Sequence, residues 1–343
     1  MDDTFLNYYE KTKNELNKYI NNFNKELINE DNELLKEQLK IFSNLNSDGK
    51  LIRGILVNLG YKLLNEDTLY SYPLSLAFEV FQTAILVHDD IIDNDEIRRG
   101  KTTVHAYNYN KYNSKELGTN IGICMGNLGL YKANEIISKN YTNDSNLGNV
   151  LNCFNDIVIK TIKGELLDVI IPFREQNNLE ISNLEDNIME IYKLKTAYYT
   201  IIGPLSLGLI LANASKEQLS DIEKFGYYTG VAFQMQDDLL GIYGEDIGKK
   251  VGSDIEEYKQ TILYSYTKNT KYYDELLKYY GKNNTLEKVR KIFDISGAKK
   301  YTEDKIEEYY NKSIDVLDNI NWINNINKEI MINFVKYLKN RKK

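Results

Sequence analysis

Apolar residues recur every three and four positions through residues 4–43, 74–93 and 302–341. That spacing lays a single apolar stripe along an α-helix. Runs that alternate apolar and polar residues, as half-buried strands do, are scarce. The pattern predicts an all-α protein, a bundle of ten or more helices, even though its frequent Tyr, Ile and Asn are weak helix formers. Breaks are expected near residues 44–48, 100–114, 141–149, 175–183 and 244–253, where Gly, Asn, Asp and Ser collect. With three prolines, no glycine-serine linker and no repeat, nothing marks a boundary, and residues 1–343 read as a single helical domain. Residues 196–215, TAYYTIIGPLSLGLILANAS, carry no charge over a length that crosses a bilayer. A buried helix broken by a turn at Gly203-Pro204 is the preferred reading, because a lone span in mid-chain would split the domain; no transmembrane segment is expected.

Composition narrows the function. A 42% hydrophobic content supports a substantial core, and a net charge of −7 argues against a nucleic-acid surface. Any anion must therefore be bound locally. Two cysteines, Cys124 and Cys153, are too few for a disulfide framework, and the start MDDTFLNYYEK lacks the features of a signal peptide. A cytoplasmic location is expected. With His88 and His105 the only imidazoles, a multi-histidine metal site is excluded.

The candidate chemistry lies at the ends of apolar segments. In LVHDDIIDNDEIRRGKTTVH, Asp89, Asp90 and Asp93 follow an aliphatic run, with Arg98 and Arg99 just beyond. On a helix, Glu79, Gln82, Asp89 and Asp93 share one stripe, with Phe78, Phe81 and Ile85 flanking it below Asp89. The segment GYYTGVAFQMQDDLLG repeats the design, with Gly230, Gln234, Asp237, Asp238 and Gly241 on one face. Acids at helix ends are usually solvated caps, but two such pairs beside a core need a cation. The pairs could face each other across a cavity. Clustered carboxylates without His or thiolate suit Mg²⁺, which completes its shell with water and phosphate. Lys50, Arg53, Arg98, Arg99, Lys195, Lys249 and Lys259 could neutralise the remaining phosphate charge.

From Gly49 to Thr261 the sequence resembles the trans-isoprenyl diphosphate synthases, the polyprenyl synthetase family. HDDIIDNDEIRRGK and FQMQDDLLGIYGE resemble the family's two aspartate-rich motifs. DGKLIRG, KGELLD, KLKTA and GKKVGSDIEEYKQT are similar to four further segments in the family's order. The resemblance implies helices around a deep central cavity and a homodimer. It also implies chain elongation: an allylic diphosphate ionises, isopentenyl diphosphate attacks the cation through its double bond, and a proton is lost. Asp89, Asp93 and Asp237, with Asp90 and Asp238 beside them, would bridge three Mg²⁺ ions to the leaving diphosphate, assisted by Arg98, Lys195, Lys249 and Lys259. Gly49, Lys50, Arg53, Gln82 and Arg99 would hold isopentenyl diphosphate. Thr196 and Gln234 would turn oxygens toward the cation, with Phe233 in the wall.

Several positions depart from the family pattern. Leu51 stands where Arg is usual, Gly54 and Thr102 where Pro is usual, and Asn127 where a Gly-Asp pair is common. Gly241 replaces the Asp that often ends the second motif, leaving that metal site chiefly on Asp237 and Asp238. Two other readings are a terpene cyclase, which needs no second diphosphate site, and a non-catalytic subunit of a heteromeric synthase, which would lack an intact first motif. Ala84 and Ile85 lie where short-chain enzymes of the family carry bulky aromatics, so Phe81, roughly 12 Å below Asp89, is the next candidate floor. With Phe81, Ala84 and Ile85 setting the depth, a product of C20 or longer is expected, in the range of roughly C20 to C35.

Overall fold

A computed structural model describes residues 4–47, 49–244 and 251–341. The protein is all-α, as the periodicity predicts. Its helices are α1 (Thr4–Leu27), α2 (Glu33–Asn46), α3 (Ile52–Lys62), α4 (Tyr72–Ile92), α5 (Val104–Tyr112), α6 (Lys115–Asn140), α7 (Leu147–Gln176), α8 (Leu184–Ile191), a π-helix (Tyr192–Ile202), α9 (Gly203–Leu211), α10 (Lys216–Tyr243), α11 (Ser253–Glu256), α12 (Ile262–Lys268), α13 (Tyr273–Leu276), α14 (Leu286–Ser296), α15 (Ala298–Asn319) and α16 (Asn325–Lys339). Among the described residues the one sheet is a hairpin, β1 (Ile97–Arg98) and β2 (Lys101–Thr102), paired antiparallel. Its turn is Arg99-Gly100, with φ of 53° and 76°, the doubly positive backbone that a two-residue hairpin favours.

Two compact units emerge. The first takes the residues up to Cys153 together with Pro204–Ala214. Here α4 packs along α6 and α3 over a core that includes Phe5, Leu16, Phe42, Phe78 and Phe81. Helices α3 and α9 meet backbone to backbone: a Cβ at Gly60 would lie 2.1 Å from the Leu205 carbonyl oxygen, and one at Gly208 would lie 2.0 Å from that of Val57. The second unit takes Phe154–Gly203 and the residues from Ser215 onward. Helix α10 packs there on the π-helix and α15, around Ile188, Phe225, Met235, Phe293 and Phe334.

Several expected boundaries move. The periodic segment 4–43 is two helices, because Asn32 caps α2 by accepting from the Leu34 and Leu35 N–H groups. Segment 302–341 likewise divides where Asn324 caps α16. The expected break at 100–114 contains β2 and α5. The turn expected at Gly203-Pro204 is absent, since the π-helix runs directly into α9 and the Gly203 N–H reaches back to the Tyr198 carbonyl. The wider π spacing gives the proline ring room beside the preceding turn, which an α-helix would not. Leu184–Leu211 is long and apolar enough to cross a bilayer, yet 83% of its most apolar window is buried in protein. It is a core helix.

Candidate active site

Helix α4 carries the first acidic motif at its C-terminal end, with Asp93 as the capping residue. The β1–β2 hairpin brings Arg98 back onto it. The Arg98 guanidinium reaches Asp89 Oδ2 at 3.0 Å, Asp95 Oδ2 at 3.4 Å and, through Nε, Asp90 Oδ1. Asp90 is fully buried, and burial pushes its carboxyl up to about 7 against the pull of Arg98. Burial opposes the charge on Arg98, but the three carboxylates outweigh it and raise the guanidinium above its ordinary value. Carboxylates packed this densely require a cation.

About three turns of α4 before Asp89, a second cluster forms around Glu79, which is 4% exposed. Its Oε1 accepts from the Gly54 N–H at 2.6 Å. The Gln82 amide, oriented by its neighbours, donates to Glu79 Oε2 at 2.9 Å and accepts from Arg99 Nη2 at 3.2 Å and Arg53 Nη1 at 3.1 Å. Gly49 lets the Arg99 guanidinium lie close, for a Cβ there would sit 2.7 Å from Nη1. Lys50 is exposed nearby in sequence, its carbonyl accepting from Tyr9 at 2.8 Å. Burial raises the Glu79 carboxyl above its ordinary range, while the Gly54 N–H, Arg53 and Arg99 act in the other direction. Arg53, Gln82 and Arg99 are therefore one assembly. Glu79, its centre, had been visible only as a member of the stripe.

The second motif lies on α10. Asp237 Oδ1 is 3.0 Å from Arg341 Nη1, whose guanidinium also stands over the Phe233 ring. Asp238, expected as a metal ligand, is engaged by two side-chain donors. It is 5% exposed, accepting from the Tyr192 hydroxyl through Oδ2 and from Gln234 Nε2 through Oδ1 at 2.8 Å. Burial raises its carboxyl well above the usual range despite both donors. Gln234 Oε1 in turn accepts from the Thr196 hydroxyl at 2.5 Å. Lys195 is held by Asp168 at 2.6 Å and Glu165 at 2.7 Å. Gly164 of the same KGELLD segment lets the two backbones approach, since a Cβ there would lie 2.5 Å from the Lys195 backbone nitrogen. Lys259 pairs with Glu257 at 3.1 Å. Lys249 lies outside the described residues.

Two departures from the family pattern acquire a physical account. Leu51 is 4% exposed in the left-handed region, φ 52°, so the side chain replacing the usual arginine belongs to the core. At Gly241, Asp254 Oδ2 lies 2.8 Å from where a Cβ would be, and the Gly252 N–H donates to the Gly241 carbonyl at 2.9 Å. A carboxylate thus reaches the position from another segment, which no local pattern could signal. The three residues expected to set the cavity depth all lie on α4 in the first unit. Ala84 is fully buried toward α6, where a Cβ at Gly129 would lie 2.7 Å from Ala84 Cβ and from the Phe42 ring. Phe81 is fully buried edge-on to Phe78, their centroids 5.4 Å apart. Of the three residues only Ile85, one turn from Asp89, is partly exposed.

Among solved structures, the geranylgeranyl pyrophosphate synthase from Corynebacterium glutamicum, complexed with isoprenyl diphosphate and magnesium, has this fold: the TM-score is 0.85 over 97% of this chain and 98% of that one, at 22% identity. By sequence, the chain is 29% identical over 286 residues to the geranylgeranyl pyrophosphate synthase of Geoglobus acetivorans, covering 80% of this chain and 82% of that one. It is 31% identical over 223 residues to the farnesyl pyrophosphate synthase of Zea mays, covering 62% and 60%. Residues 34–296 match the family profile described as polyprenyl synthetase. The chain belongs to that family, the trans-isoprenyl diphosphate synthases, and is a prenyltransferase.

Proposed function

We propose that this prenyltransferase condenses isopentenyl diphosphate with an allylic diphosphate, using Mg²⁺, to release a product of C20 or longer. The observation that carries the reading is the Arg53–Gln82–Arg99 assembly on Glu79, a cationic site built without the acidic motif. A second diphosphate needs such a site, and a cyclase has no use for one. Arg53, Arg99 and Lys50 would bind isopentenyl diphosphate by charge-assisted hydrogen bonds, with Gln82 fixing the two guanidinium planes.

The donors present fit a hard divalent cation. They are carboxylate oxygens, and Asp90 Oδ2 is buried with no hydrogen-bond partner among the described residues. Among those residues no three His, Cys, Asp or Glu side chains form a ready-made cage, which suits an ion that finishes its shell with substrate phosphates. In the first unit Asp89 and Asp93 would hold Mg²⁺; in the second, Asp237 offers a carboxylate of the same kind. The ion, when bound, would supply positive charge to the leaving diphosphate. Arg98 would add fixed positive charge in the first unit, as Lys195 and Lys259 would in the second. Thr196 and Gln234 offer oxygen dipoles to an allylic cation.

The resemblance to geranylgeranyl and farnesyl synthases leaves length to α4. Ile85 is smaller than the aromatics that short-chain enzymes of the family carry before the first aspartate, which supports C20 or longer. A homodimer is the proposed assembly: Ile159, Ile162, Leu166, Val169 and Phe173 of α7 are all exposed at coiled-coil spacing, a seam one helix wide that a second copy's α7 would cover. The test is incubation with isopentenyl diphosphate, Mg²⁺ and C5 to C20 allylic primers, followed by sizing of the products. Products of C20 or longer are expected, shortened by Ile85→Phe and abolished by excess chelator. Products that stop at C15 refute the length, and turnover without isopentenyl diphosphate refutes the condensation.

A further inference from the structure

Four side chains of the second unit form a directed chain of hydrogen bonds. The Ile262 N–H, in the first turn of α12, donates to the Tyr192 oxygen at 3.0 Å. With that lone pair engaged, the Tyr192 hydroxyl donates onward to Asp238 Oδ2. Asp238 Oδ1 accepts from Gln234 Nε2 at 2.8 Å, and Gln234 Oε1 accepts from Thr196 at 2.5 Å. An amide can be turned end for end at little steric cost, so something must decide which end carries the oxygen. Here an acceptor is fixed on one side of Gln234, and only its NH₂ can face that acceptor. Its carbonyl is thereby directed to the Thr196 side.

We propose that Tyr192 is a positioning residue for prenyl transfer: by anchoring Asp238 it sets the orientation of the Gln234 amide, so that the carbonyl and the Thr196 hydroxyl oxygen present negative dipoles to the allylic cation. Asp238 then serves as the link in this chain, and Asp237 alone of the pair is offered to metal. The burial pattern agrees. Tyr192 is 3% and Asp238 5% exposed, whereas Gln234 and Asp237 are partly exposed. The arrangement also gives the π-helix a purpose. It carries Tyr192 and Thr196, so both ends of the chain are set by one element while α10 supplies the two links between them. This inference rests on the placement of Gln234 and Thr196 beside the cation proposed above.

The test is a mutant cycle on the full-length enzyme. Tyr192→Phe keeps the ring and removes only the donor; it is expected to lower kcat roughly tenfold, the effect of one lost hydrogen bond to a buried acceptor, with KM for isopentenyl diphosphate unchanged. Gln234→Ala should lower kcat at least as far, and the double variant should be no slower than Gln234→Ala alone. A second readout is binding of a tertiary-amine mimic of the prenyl cation with inorganic diphosphate: Tyr192→Phe should weaken the amine roughly tenfold while diphosphate alone binds as before. If Tyr192→Phe does not fold, Asp238→Asn, which can offer Gln234 either an acceptor or a donor, must give the same loss. Additive losses in the double variant, or unchanged amine binding, overturn the role of Tyr192 and leave Gln234 in place. An unimpaired Gln234→Ala overturns the placement of Gln234 and the positioning role with it.

Discussion

At the scale of single residues, Glu79 shows how a buried acid can organise cations that it does not neutralise. Proline, usual in the family at position 54, has no N–H; Gly54 has one, and Glu79 Oε1 takes it at 2.6 Å. The absence of a Cβ is also required, because one at Gly54 would lie 2.9 Å from Glu79 Cγ. Glu79→Gln should therefore raise KM for isopentenyl diphosphate roughly tenfold and leave that for the allylic primer nearly unchanged, as steady-state kinetics would reveal. Its effect on stability has a definite sign. Burial raises the folded-state pKa above the ordinary 4.5, so the unfolded chain loses its proton first as pH rises. The contribution of Glu79 to stability is full below 4.5 and is lost as pH climbs through the folded-state value. Thermal melts across that window should show wild type losing more than Glu79→Gln; parallel profiles would mean that Glu79 is not raised.

At the scale of elements, glycine decides where helices touch. At the α3–α9 contact, Gly208→Val would drive a side chain into the Val57 carbonyl and should cost about 3 kcal/mol in chemical denaturation. Gly148 of α7 has no atom within 4 Å of a Cβ position, and Gly148→Ala should leave stability unchanged or slightly higher. The π-helix carrying Lys195 and Thr196 is the other decisive element. Its widened turn admits Pro204, and Gly164 and Gly230 allow α7 and α10 to close on its backbone, the latter with a Cβ position 2.4 Å from Ala197 Cα. Lys195 then finds Glu165 and Asp168 waiting.

At the scale of the whole molecule, the exposed seam of α7 is the feature a single chain leaves unsatisfied. Six large apolar side chains between Ile159 and Phe173, Ile170 included, are each more than 40% exposed. Leu166→Glu places a charge at the seam's centre and should convert a dimer to a monomer in light scattering coupled to size-exclusion chromatography. A monomeric wild type would refute the proposed seam.

The sequence by itself determined the helical class, the buried nature of the uncharged segment and the two acidic helix ends, because periodicity and the placement of charges are local properties of the chain. It also placed Gln82 in one stripe with Glu79, whereas the hairpin that brings Arg99 to them was expected only as a break from residue 100 onward. The divisions of 4–43 and 302–341 were less legible, for an apolar stripe can resume in register after a capped break. What only the tertiary structure decided are the pairings between distant segments. Asp254 reaches Gly241, Tyr192 takes Asp238 out of solvent, Arg341 meets Asp237, and Gly129 presses α6 against Ala84. Each depends on which backbone comes within a few ångströms of another, and that is fixed by packing along the helices, where position in the chain carries no information.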